Sequence, residues 1–228
     1  MPTPSSKTLW RSLRIDRGPY RPEKEVRELL TALCRRHDLH ARFLNTLCWM
    51  EHLGSAKILL SQRGTGLPED VLRHLAEEAR HAQFFRRAAE RIAARELLCV
   101  DEDALAASAA RAYMGRLDAG ISRELGYDGG LCYRYVTLVV ELRAEWLYRL
   151  YEEVLRAEAS PLTLASVLSE EEAHLREVSD ALRESDPEHA PRRRVFEALE
   201  SSLFERWLRA MREAAFPSPR AQAQWSLL

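Results

Sequence analysis

Two short patterns, Glu78-x-x-His81 and Glu171-x-x-His174, combine residue types that bind transition metals at a spacing that puts both side chains on one side of a helix. Around the first, the positions recurring every three or four residues read Val71, His74, Leu75, Glu78, His81, Ala82, Phe85, Ala89 and Ile92. Around the second they read Leu164, Val167, Leu168, Glu171, His174, Leu175, Val178 and Leu182. In both, a Glu and a His interrupt an apolar stripe. With 26 Glu and 7 His in 228 residues, random spacing yields roughly one such pair. Two pairs, both facing inward and both with the Glu ten residues past a Pro (Pro68 and Pro161), exceed chance. A buried carboxylate without a partner is strongly unfavourable or takes up a proton, so these positions call for a cation. A metal ion supplies one.

The elements that must position these groups are helices. The spacing predicts one from Glu23 to Arg35, a longer one after His37 to about Gln62, and a third over roughly 68 to 96 with Pro68 in its first turn. Asp101, Glu102 and Asp103 are expected to open a fourth, ending near Ile121, with a break at Gly126, Gly129 and Gly130. A fifth is expected over about Leu131 to Leu155. Ser160 and Pro161 would then cap a sixth ending near Leu182, and Val195, Leu199, Leu203, Trp207 and Met211 mark a closing helix. Two long hairpins joined by a crossover that carries its own helix make a four-helix bundle with one long connection.

Each hairpin should offer a further carboxylate at the height of its Glu-x-x-His. In the first, Glu51 is the acidic residue on the face formed by Leu44, Leu47, Cys48, Gly54, Ser55 and Ile58. In the second, Glu141 and Glu145 lie one turn apart. Counting to the Pro favours Glu145. Rotation favours Glu141, which borders Thr137, Ala144 and Tyr148. Glu141 is the first choice and Glu145 a competing or additional carboxylate.

Composition limits the alternatives. Lys and Arg number 34 against 35 Asp and Glu, so no bulk positive charge marks a nucleic-acid or membrane binder. With only 9 Gly and 10 Pro among helix formers, an all-α fold is expected. Cys34, Cys48, Cys99 and Cys132 form no CxxC pair, which argues against a zinc ribbon or a disulfide framework. The N-terminus lacks a signal-peptide core and no 18-residue apolar run occurs. A cytoplasmic protein without a membrane partner is the expectation. Residues 1–24 read as an arm, 25–215 as one helical domain with its bundle core at about 38–182, and 216–228 as a tail.

Together, Glu51, Glu78-x-x-His81, Glu141 and Glu171-x-x-His174 resemble the ferritin-like di-iron carboxylate superfamily, whose ligand set is one Glu from each of two helices and a Glu-x-x-His from each of the others. The resemblance implies a ferritin-like bundle with extra N-terminal, crossover and C-terminal helices. It also implies two iron ions, with manganese or a mixed pair as alternatives. Glu78 and Glu171 would bridge or chelate, His81 and His174 would each bind one ion, and Glu51 and Glu141 would be terminal ligands. The chain lacks the Cys-rich domain of rubrerythrins and carries decorations beyond a compact ferritin, so the resemblance points to an oxidase or monooxygenase that uses dioxygen as co-substrate. A ferroxidase or metal-storage protein is the alternative. The segment around Glu-Glu-Ala-Arg-His81 is also similar to tRNA-modifying hydroxylases of this superfamily, which implies a modified nucleoside as one possible substrate beside a small molecule. An electron-donor protein and a homodimer are further expectations.

Pocket candidates beside these ligands are Cys48, Ser55, Phe85, Thr137, Leu138 and Tyr148, with His74 as a hydrogen-bonded core residue or a support for a ligand. Glu77, Glu170 and Glu172 are expected to face solvent. Trp146 and Tyr151 read as core. Arg192, Arg193 and Arg194, with Arg11, Arg14, Arg17 and Arg21, read as solvated surface.

Overall fold

The computed structural model describes residues 21–61, 66, 68–98 and 102–217. The arm up to residue 20, Gln62 with most of the turn that follows it, Cys99 to Asp101 and the tail from 218 lie outside the described residues. The described residues form seven helices in order: α1 (Glu23–Cys34), α2 (His37–Ser61), α3 (Glu69–Ala93), α4 (Ala107–Glu124), α5 (Gly129–Ala157), α6 (Ala165–Ser185) and α7 (His189–Ala215). No strand occurs among the described residues, and the fold is an all-α bundle. Among the described residues no helix is long and apolar enough to cross a membrane.

Helices α2 and α3 pack as one hairpin and α5 and α6 as the other; α2 meets α5 and α3 meets α6, which closes a four-helix ring. The crossover helix α4 lies on α2, α5 and α7, while α1 covers α2 and α5. Phe43, Leu44, Phe85, Tyr135, Leu138, Tyr151 and Leu155 fill the ring's apolar layers, and Phe196, Phe204 and Trp207 bring α7 onto the same core. The expected break before α5 is present at Gly126, whereas Gly129 and Gly130 open the helix itself. Gly126 (φ +64) and Tyr127 (φ +63) turn the chain in the left-handed region, and Asp128 caps α5 by accepting the Leu131 N–H at 3.0 Å.

Two helix starts differ from expectation. Helix α4 begins at Ala107, not at the acidic run, because Asp103 is engaged in the preceding loop. Its carboxylate accepts the Leu98 N–H (2.7 Å) and pairs with Arg95, while Asn45 of α2 donates to the Leu98 and Asp103 carbonyls at 2.8 and 2.9 Å. Helix α6 begins at Ala165 rather than at Pro161. Ser160 accepts the Leu162 N–H (3.2 Å) in a local turn, and Glu152 of α5 accepts the Leu164 N–H (2.7 Å), which holds residues 160–164 outside the helix. The equal Pro-to-Glu counts therefore do not reflect equal helical depth: Glu78 is the tenth residue of α3 and Glu171 the seventh of α6.

The surface arginines are more engaged than expected. Arg192 binds Asp186 at 2.9 Å and Arg193 pairs with Glu197 at 2.6 Å. Arg11, Arg14 and Arg17 lie outside the described residues.

Candidate metal centre

Seven buried polar side chains converge inside the ring: Glu51 from α2, His74, Glu78 and His81 from α3, Glu141 from α5, and Glu171 and His174 from α6. Their donor atoms form two groups, His74, Glu78, Glu141 and His174 in one and Glu51, Glu78, His81 and Glu171 in the other. Within each group all four atoms lie within 4.8 Å of one another, and Glu78 belongs to both. The cause is periodicity. Residues 74, 78 and 81 of α3, and 171 and 174 of α6, fall three or four apart on the faces that close the ring.

The two motif histidines are oriented by glutamates from the opposite hairpin. His81 Nε2–H donates to Glu170 of α6 at 3.0 Å, and His174 Nε2–H donates to Glu77 of α3. An ionised carboxylate accepts only, so each contact fixes the proton on Nε2 and leaves the Nδ1 lone pair facing inward. There, His81 Nδ1 stands 3.3 Å from Glu171 Oε1 and His174 Nδ1 stands 3.8 Å from Glu141 Oε1. Neither Nδ1 has a hydrogen-bond partner, nor do Glu141 Oε2 and Glu171 Oε2. Polar atoms buried this deeply without partners are unfavourable unless protons or cations stand among them. The donor set, hard carboxylates with imidazoles, suits divalent first-row metals.

The protonation pattern carries the same signature. Burial pushes the Glu141 carboxyl up to about 8, and it pushes Glu51 and Glu171 well above the usual carboxylate range, with the charges of Glu78 and of Glu141 adding to the respective shifts. Burial also acts to raise Glu78, but its hydrogen bond with His74 and that ring's charge hold it below the ordinary value. Burial opposes a charge on His74, yet the Glu78 contact at 3.2 Å carries the imidazole up to about 9. Protons on these groups offset the crowded negative charge where cations otherwise would.

Close fitting extends to the backbone. A Cβ at Gly54 would stand 2.8 Å from Glu78 Oε2, so the absence of a side chain on α2 makes room for the shared carboxylate. Tyr148 donates its hydroxyl to Glu51 Oε1. Beside the first group, a cavity of about 290 Å³ reaches His74, Glu78 and Glu141 between α2, α4 and α5. A smaller one of about 50 Å³ touches Glu51, Tyr148 and Glu171 on the side of Tyr113 and Trp207.

The chain matches no protein-family model, no curated protein and no solved structure. The all-helical bundle and its buried His/Glu groups are compatible with a ferritin-like fold, and these groups can hold a metal ion.

All six side chains in the expected ligand set lie in the two groups, and Glu141 rather than Glu145 faces inward. Glu145 pairs with Arg149 at 2.8 Å outside both groups. His74 does more than fill the core: its Nε2 lies among the donor atoms, 3.3 Å from Glu141, while its Nδ1 meets the Tyr133 hydroxyl at 2.8 Å. Of the pocket candidates, Thr137 lines the large cavity and Tyr148 the small one. Cys48, Phe85 and Leu138 are buried core residues, and half-buried Ser55 lines neither cavity.

Glu77 and Glu170 depart from the expected solvent-facing role, with side chains only 15% and 34% exposed and bound to the motif histidines. Each stands next to a motif Glu, and the doubled Glu-Glu in both motifs was the available signal. Glu172 behaves as expected, pairing with Arg149 at the surface. Tyr151 is buried and Trp146 packs on Phe204.

Proposed function

We propose that the protein is a dinuclear, iron-dependent oxidase or monooxygenase that uses dioxygen on an organic substrate held in the large cavity. The observation that carries this reading is the pair of four-residue groups joined through Glu78, with the inward atoms of His81, Glu141, Glu171 and His174 lacking donors. An adjoining cavity favours a reaction on an organic molecule over metal storage alone, because a storage site needs no such space.

When bound, two ferrous ions would supply the electrons and open coordination positions that reduction of dioxygen requires, with an external donor restoring them. Glu51, Glu78, Glu141 and Glu171 would hold the ions with His81 and His174, both through Nδ1. Glu77 and Glu170 keep those rings in one tautomer and one orientation. Tyr148 holds the Glu51 carboxylate by its hydroxyl. His74, carrying a proton, donates to Glu78 and thereby tempers the charge of the shared carboxylate. Phe85, Leu44 and Leu138 provide an apolar layer in the same ring.

The test is anaerobic loading of the purified chain with ferrous ion, followed by metal analysis, size-exclusion chromatography, dioxygen uptake and Mössbauer spectroscopy. Two irons per chain in a small assembly, oxidised on admission of dioxygen, is the expected result. Many irons per chain in a large cage would replace this reading with storage, and no uptake would remove it.

A further inference from the structure

The cavity beside the carboxylate–imidazole cluster has a polarity of its own. Its floor is formed by His74, Glu78 and Glu141, and its walls include Ile58, Met114, Val136 and Val140. Away from the floor, Lys57 of α2 and Asp118 of α4 are, among the described residues, the charged side chains that line it, and they pair at 2.7 Å. The Lys57 side chain is 29% exposed and that of Asp118 41%, so the pair stands at the solvent side of the cavity with Lys57 the less exposed member.

We propose that this cavity takes a compact, mainly apolar monocarboxylic acid, with its carboxylate on the Lys57 ammonium and its hydrocarbon body directed toward Glu78 and Glu141. The inference rests on the proposed oxidase reading for what happens to the acid, but not for its binding.

Size sets the first limit. About 290 Å³ is roughly twice the ~150 Å³ cavity that admits a benzene ring, which corresponds to about a dozen non-hydrogen atoms. Charge decides the head group. An incoming carboxylate can replace Asp118 on Lys57 while the more exposed Asp118 returns to water at little cost. An ammonium head would instead take Asp118 and strand the less exposed Lys57 beside apolar walls. At the floor the His74 ring is already committed to Glu78 at 3.2 Å and to Tyr133 at 2.8 Å, so it offers the acid's head no free cation; the head stays at Lys57 and the carbon chain faces the cluster. Two of the neutral polar groups in the lining are already engaged: the Ser61 hydroxyl donates to the Ile58 carbonyl at 2.7 Å, and the Tyr133 hydroxyl meets His74 at 2.8 Å.

The test compares octanoate, octan-1-ol and octylamine, which differ only in the head, by calorimetric titration into metal-free and anaerobic ferrous-loaded protein whose metal content is measured on the same samples. Octanoate is expected to bind both forms at least tenfold more tightly than the other two. Lys57→Met should weaken octanoate at least tenfold, leaving octanol binding and metal content unchanged, and Asp118→Asn should tighten octanoate severalfold. Octylamine binding as well as octanoate would overturn the proposal, as would octanoate binding that ignores Lys57→Met. Octanoate binding that appears only with metal and is indifferent to Lys57 would place the head at the floor and also overturn it. Octanoate binding, dependent on Lys57, by a chain that takes up no metal would support the acid site and overturn the oxidase reading instead.

Discussion

His81 of α3 donates from Nε2 to the carboxylate of Glu170 on α6 across 3.0 Å, and the relation is returned by Glu77 of α3, which accepts from His174 of α6. Each hairpin thus orients the other's imidazole. The two contacts join α3 to α6 and aim both Nδ1 lone pairs at the same interior.

Removing one of these carboxylates frees a ring to rotate or change tautomer without deleting a donor atom. Glu77→Ala and Glu170→Ala should each weaken metal binding by about 10–100-fold. Competition with a chelator of known affinity reads this directly. Glu172→Ala, at the surface beside Arg149, is the control expected to change nothing.

Gly54 yields two effects of opposite sign. In Gly54→Ala the new methyl group would meet Glu78 Oε2 at 2.8 Å, so the shared carboxylate must swing away. Metal affinity should fall at least tenfold by comparison with other losses of ligand positioning. The same change favours the helix by up to about 1 kcal/mol. Urea unfolding of the metal-free variant should accordingly show unchanged or higher stability.

Metal uptake should release protons at pH 7. The Glu141 carboxyl, raised to about 8, and those of Glu51 and Glu171, also raised by burial, hold protons that a metal displaces. Affinity therefore rises with pH up to about 8. In the metal-free protein, groups with raised native pKa bind more protons folded than unfolded, so their contribution to stability falls as pH rises. Between about pH 6.5, the ordinary histidine value, and pH 8, Glu141, raised to about 8, and His74, raised to about 9, both act in that direction. Urea midpoints should drop across this window without metal and stay level with it.

Away from the centre, Arg143 of α5 holds Glu200 of α7 through two hydrogen bonds of 2.8 and 2.7 Å, with Tyr113 of α4 donating to the same carboxylate at 2.8 Å. Both charges are buried, and the guanidinium lies 4.0 Å from the Phe204 ring centre. Arg143→Met would strand Glu200 and should destabilise the fold by about 3–5 kcal/mol. Arg143→Met with Glu200→Leu should recover most of that loss in the same denaturation assay.

Composition carried the all-helical class, and periodicity carried the inward faces of α3 and α6 and the choice of Glu51 on α2, because a three-and-four repeat determines which side chains share a side of a helix. It also separated Glu141 from Glu145, where rotation proved the better guide than counting to Pro161, since residues 160–164 lie in a turn outside α6. What required the folded chain depends on contacts between helices distant in sequence. Glu77 and Glu170 sit at the edge of the stripe, and only the packing of α3 against α6 turns them toward the opposite histidines. The crossover helix α4 brings Met114 and Asp118 to the cavity from more than 50 residues beyond Lys57. One-dimensional spacing records which face a residue shares, whereas the partner across the interface is chosen by how the helices pack.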